Sequence, residues 1–187
     1  MESNTKAFWK TAINHGLILG IIMIIIQLLM WMLNFVPVGI GKGALTLLVT
    51  LVFYVVALFL FTKNYRDKSL GGTITFGHAF LYGFTVFMIA SIIGAIFNFI
   101  FLTFIDPEYT QRVIKITSDW TENYMREKGL SEDMINQSID KITSKKIPTP
   151  IGSSLKSLIA GAVMGAIISL ISSAFAKKVD DPFKEVK

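Results

Sequence analysis

Cysteine is absent from the 187 residues. That excludes disulfides, thiolate nucleophiles and Cys-based metal sites. Charge is absent where it matters most: no Asp, Glu, Lys or Arg occurs from Ser69 to Ile105. Similar windows occupy Thr11–Gly41, Gly43–Thr62 and Ser157–Ala176. No Asp or Glu falls in any of them, which removes the carboxylates that a proton relay through the membrane would use. A Ser/His/Asp arrangement, a phosphate-cradling Gly loop and a His/acid metal cluster are likewise missing at usable spacing. Catalytic, cofactor-binding and metal-ligating residues are therefore assigned to none, and the chain reads as no enzyme. The net charge is only +5, and no basic face with readout residues is visible, so nucleic acid is excluded as a partner.

What is present is apolar length. A bilayer core about 30 Å thick needs roughly 20 apolar residues per spanning helix. Within lipid, backbone groups must pair internally, which leaves helices or closed barrels. A barrel strand would alternate over about 10 residues; Phe84–Phe104 is apolar almost throughout. The pattern predicts an all-α, polytopic membrane protein with four transmembrane helices, at about 12–36, 43–62, 76–105 and 153–176, and the lipid bilayer as its first partner. Thr73–Phe80 is expected in or near the headgroups.

Taken in order, Met1–Lys10 is a polar tail. The first span is too long for a signal-peptide core and has no small-residue cleavage site, so a retained helix is expected. Phe8, Trp9 and Trp31 suit its interfaces. Gly16 and Gly20 form a G-x-x-x-G pair that permits close helix approach. Pro37, Gly39 and Gly41 predict a tight turn. The second helix should return beside the first and face lipid. Lys63–Lys68 reads as a basic loop. The third helix carries His78, Ser91 and Asn98, and the first carries Gln27 and Asn34. His78 is expected at the interface; the amides of Gln27 and Asn98 are expected to bond between helices. Ala90, Gly94 and Asn98 lie at i, i+4, i+8 and should share one packing face.

Phe104-Ile-Asp-Pro-Glu108 marks a boundary, with Asp106 as helix cap, Pro107 in the first helical position and Glu108 at the positive end. A helix to about Lys128 carries Tyr109, Val113, Ile116, Trp120 and Tyr124 as one stripe. Gly129 should stop it. Ser131 should cap a second helix to about Lys145, with Ile135, Ile139 and Ile142 on one face. The result is a charged αα-hairpin outside the membrane, 106–148, between helices 3 and 4. Trp120 and Tyr124 on so small a unit suggest a surface for a protein partner.

The last helix has the clearest pattern. Ser153, Ser157, Gly161, Gly165, Ser169 and Ser173 recur every four residues, which makes a row that another helix can approach closely. Whether that helix belongs to the same chain or to a second copy in a homodimer stays open at this level. Lys177 and Lys178 should end the span, and Asp180–Lys187 is a polar tail.

Three pieces, FWKTAINHGLILG, YRDKSLGGTITFGHAF and IDPEY, together resemble the DUF4199 family of bacterial membrane proteins, found mainly in Bacteroidota. The resemblance covers the whole chain. It implies four membrane helices in the cytoplasmic (inner) membrane and supplies no activity or catalytic residue. With four spans both termini share a side. The cations are evenly split, but the short loops carry Lys63, Arg66 and Lys68 on the terminal side against Lys42 on the other. The positive-inside rule then places the N and C termini in the cytoplasm and the hairpin in the periplasm. Two functional classes follow: a non-enzymatic association or accessory protein, working through helix packing and the hairpin, or an oligomeric small-solute channel or transporter lined by Gln27, Asn34, Ser91 and Asn98.

Overall fold

The computed structural model describes residues 2–179. The polar tail expected at 180–187, with Lys184 and Lys187, lies outside the described residues. The chain forms α1 (Glu2–Met32), α2 (Ile40–Ser69), α3 (Phe76–Ile100), α4 (Tyr109–Glu127), α5 (Glu132–Thr143) and α6 (Pro150–Ala176). A π-helical turn, Phe101–Ile105, prolongs α3. Four helices, Thr5–Met32, Ile40–Ser69, Phe76–Ile105 and Pro150–Ala176, are long and apolar enough to cross a membrane. The protein is thus an all-α, multi-pass membrane protein.

The centre of the bundle is α3, which packs most extensively on α6 and α1, while α2 leans chiefly on α6. Small residues set these approaches. A β-carbon at Gly16 would lie 2.7 Å from Ile89, and one at Gly20 would lie 3.0 Å from Ile93. On the opposite side of α3, a β-carbon at Gly165 would meet the Phe87 ring at 2.7 Å. Two small-residue faces therefore grip one central helix. The core between them contains Leu19, Leu58, Tyr65, Tyr82, Val86 and Ile168, all fully buried.

Several boundaries differ from the sequence expectation, each for a local reason. The first helix stops at Met32 rather than near Val36, because Asn34 turns left-handed at φ 50°. Its N–H reaches the Trp31 carbonyl at 3.0 Å, and the Phe35 N–H reaches Met30 at 2.8 Å. That double bond is a Schellman stop, and Asn tolerates its conformation better than most side chains do. Lys63–Lys68 is not a loop. It forms the last turns of α2, which end only before Gly71 and Gly72, at φ 70° and 95°. Charged residues do not break a helix; left-handed glycines do. The last span begins at Pro150, three residues earlier than expected. Thr149 caps it by accepting from the Gly152 N–H at 3.2 Å, and Pro150 fills the first turn, where its missing N–H is harmless.

The expected cap at Asp106 is also corrected. The cap position is Glu108, and the Asp106 side chain is engaged elsewhere. α4 and α5 pack on each other, joined through Gly129 at φ 70° in a second Schellman turn. Ile135 is buried between them, whereas Ile116 of the expected stripe is exposed. Finally, Ile74 and Lys178 exchange two backbone hydrogen bonds, 2.8 and 3.0 Å, tying the segment before α3 to the chain after α6.

Candidate functional site

The two ends of the bundle are built differently. At the end that holds the α2–α3 connection and the exit of α6, aromatic and polar groups interlock. The buried face of α1 is Ala12, His15, Gly16, Leu19 and Gly20, an i, i+3, i+4, i+7, i+8 pattern. His15 stands in its middle. Its Nδ1 lies 2.6 Å from the Tyr82 hydroxyl and its Nε2 lies 3.2 Å from the Asn64 amide nitrogen. With the Asn64 N–H donating to Nε2, the ring proton sits on Nδ1 and is donated to the Tyr82 oxygen, so a neutral imidazole uses both nitrogens. Phe61 stacks on the ring at 4.5 Å. Tyr82 in turn stacks on Tyr65 at 4.1 Å, and the Tyr65 hydroxyl lies 3.2 Å from His78 Nε2. Arg66 donates to the Ala176 carbonyl at 2.9 Å, which satisfies a C-terminal carbonyl of α6.

His15 is the site residue that the sequence reading missed. An ionisable side chain inside a span is a signal in itself, and its spacing from Ala12, Leu19 and the two glycines marks it as inward. His78 is half-buried, within reach of Tyr65 and beside Phe8, rather than simply bathed by the interface.

At the other end the first half of α2 leaves Leu45, Leu47, Leu48 and Val49 exposed. A cavity of about 410 Å³ opens there, with Gln27, Ser91, Gly94, Asn98, Tyr109 and Ser157 on its walls. Ser91 is buried, and its hydroxyl has no hydrogen-bond partner among the described residues. Asn98 donates to the Ser154 hydroxyl at 3.3 Å. Gly94 does not join Ala90 in a packing face: a β-carbon there would meet nothing within 4 Å, while Ala90 is fully buried. The one-turn step from Ala90 to Gly94 crosses from packed core to open space. Asn34 lies outside the group, exposed in the α1–α2 turn.

The small-residue row of α6 meets α3 of the same chain. Gly161 sits against the Ser91 hydroxyl, Gly165 against Phe87, and Ser169 against Gly83. Ser173 is fully buried, and its hydroxyl donates back to the Ser169 carbonyl. Ser157 is exposed, at the cavity wall.

A polar clamp joins α1, the end of α3 and α4 at this end of the bundle. Asp106 is buried, accepts from the Trp31 indole at 2.8 Å and pairs with the Arg112 guanidinium through both oxygens. The hydrogen bonds from Arg112 hold its carboxyl below the ordinary carboxylate range against the opposing effect of burial, and Trp31 acts in the same direction. The π-helical turn makes this possible, since its Asp106 N–H to Phe101 carbonyl bond at 2.8 Å turns the side chain inward. Trp120 of α4 lies over Gly39, where a β-carbon would come 2.9 Å from the indole. Gly39 has φ 95°, so glycine is favoured there on both counts. Tyr124 stacks on Trp120 at 5.0 Å. Both aromatics thus help seat α4 on the α1–α2 turn. Among the described residues, no three His, Cys, Asp or Glu side chains gather as a metal site.

Residues 14–178 match the family described as "Protein of unknown function (DUF4199)". The chain belongs to this family. No curated protein and no solved structure matches it.

Proposed function

We propose that this chain is a non-enzymatic protein of the bacterial cytoplasmic membrane that acts by association, with the α4–α5 hairpin as its docking element. The observation that carries the reading is the way the hairpin is held. It is seated on the bundle by Trp120 over Gly39 and by the Arg112–Asp106–Trp31 clamp. Its apolar Ile116, Leu130 and Met134 nevertheless stay exposed. A charged unit anchored at one side and apolar at another suits a protein partner at the membrane surface. The short-loop cations favour termini in the cytoplasm and the hairpin in the periplasm. The reading assigns the protein no cofactor and no nucleic acid. A homodimer would have to use outer faces, since Gly161, Gly165 and Ser169 already meet α3.

A photoreactive amino acid at Met134 of the full-length protein tests this in native membranes. A discrete protein adduct at Met134, absent with the probe at Leu48 on α2, supports the reading; lipid adducts alone at both positions refute it. Orientation is read separately. An impermeant maleimide should label Gln137→Cys in intact cells and Lys68→Cys only after permeabilisation. The reverse pattern would invert the topology.

The channel alternative draws on Gln27, Ser91 and Asn98, which share the cavity. Within the single bundle, Leu19, Tyr82, Val86 and Ile168 are fully buried, so the reading keeps association first and the channel second.

A further inference from the structure

We infer that the cavity between α2 and the rest of the bundle is a binding site for an uncharged, hydroxyl-headed amphiphile with two hydrocarbon tails, of the diacylglycerol type. Three features define that occupant. The chamber of about 410 Å³ has no charged side chain among the described residues on its walls, so a phosphate or ammonium head would enter a low-dielectric space unpaired. Gln27 and Asn98 bring amides that both donate and accept. A hydroxyl head matches such a set better than a group that only accepts. Two apolar spaces adjoin the chamber on either side of α2. One, about 390 Å³, runs between α1 and α2 along Met30, Leu45, Val49 and Phe53. The other, about 440 Å³, runs between α2 and α6 along Leu47, Leu51 and Met164. Thr50 and Tyr54 of α2 border all three. The head chamber thus has one apolar channel for each tail, and each space falls within the usual size of a ligand pocket.

Gly94 makes the inference testable. Its missing side chain leaves open space in the chamber, so Gly94→Leu should fill the site without pressing on a neighbour. The full-length protein is placed in phosphatidylethanolamine/phosphatidylglycerol nanodiscs. It is then photolabelled with a diazirine-bearing diacylglycerol or with a phosphatidylglycerol carrying the same tail. The expected result is diacylglycerol label in residues 23–54 that drops about tenfold in Gly94→Leu, with a melting temperature that holds or rises. The anionic probe should label the outer face of α2, indifferent to that substitution. The double variant Gln27→Leu, Asn98→Leu should require about tenfold more unlabelled diacylglycerol to compete, the size expected for losing one or two net hydrogen bonds. An isoprenoid quinone should compete poorly. Diacylglycerol labelling that survives Gly94→Leu overturns the site. Equal loss of the anionic label overturns the uncharged head, and superior competition by the quinone overturns the hydroxyl. If Gly94→Leu melts as low as Gly165→Leu, the chamber is not open and the inference fails.

Discussion

The two ends of this bundle are both apolar on the outside and opposite in construction. Around His15, Tyr65 and Tyr82 the side-chain hydrogen bonds join different helices, and both tyrosine rings are fully buried. Around Gln27, Gly94 and Asn98 the polar groups face a cavity. α2 belongs to both ends. Leu58, Thr62, Tyr65 and Arg66 of its second half are buried, while Leu45, Leu47, Leu48 and Val49 of its first half are exposed. The difference shows that apolar residues alone do not close a membrane bundle. Lipid solvates Leu as well as a neighbouring helix does, so closure follows small-residue contacts and interhelical hydrogen bonds. The His15 end is rich in both; the other keeps the Asn98–Ser154 bond and its clamp at Asp106 beside open space.

The largest effect should come from breaking the closed end. Tyr82→Ala removes a fully buried ring that stacks on Tyr65 and meets His15. It should lower stability by about 3–5 kcal/mol, as large aromatic truncations do, read from denaturant or thermal unfolding in detergent. Tyr82→Phe separates the hydroxyl from the ring and should cost about 0.5–1.5 kcal/mol. Next comes a contrast of glycines. Gly165→Leu drives a side chain into Phe87 and should cost about 1–3 kcal/mol. Gly94→Leu has room and gains helix propensity of about 1 kcal/mol, so its melting point should hold or rise. Equal losses at the two positions would erase the distinction between the faces.

The smallest effect is electrostatic. The Asp106 carboxyl lies below its ordinary pKa in the folded protein because Arg112 bonds to it. A lowered folded value means stability that is fully present above the unfolded pKa of about 4 and lost as pH falls through the folded value. Melting temperature should therefore drop between pH 6 and pH 3 by more in the wild type than in Asp106→Asn. Parallel curves would remove the clamp from the account.

The four spans were legible in the sequence because absence of charge over some 20 residues is a local property with a single physical reading. The end of α2 was not. Lys63–Lys68 looks like a loop by composition, but nothing in it bends a backbone, and Arg66 finds its partner on α6, 110 residues away. Asp106 was misread for a related reason. As a cap it needs only the helix start beside it, whereas its side chain pairs with Arg112 a turn further on and with Trp31, 75 residues distant. Trp120 was visible as unusual, but its seat on Gly39 depends on how the hairpin docks. His15 was within reach, since its face carries two glycines and a helical period. The cavity was not. Gly94 has the same spacing as a packing residue, and only the tertiary arrangement decides whether a helix or a space lies opposite.

The most direct test uses the chain's lack of cysteine. Ala90→Cys and Gly94→Cys place a single thiol one helical turn apart on α3, and each is exposed to N-ethylmaleimide in delipidated detergent micelles while the protein stays folded. An open cavity beside a closed core predicts rapid modification at position 94 and none at position 90 until the protein is unfolded. Equal rates at the two positions, or protection at 94, would contradict it.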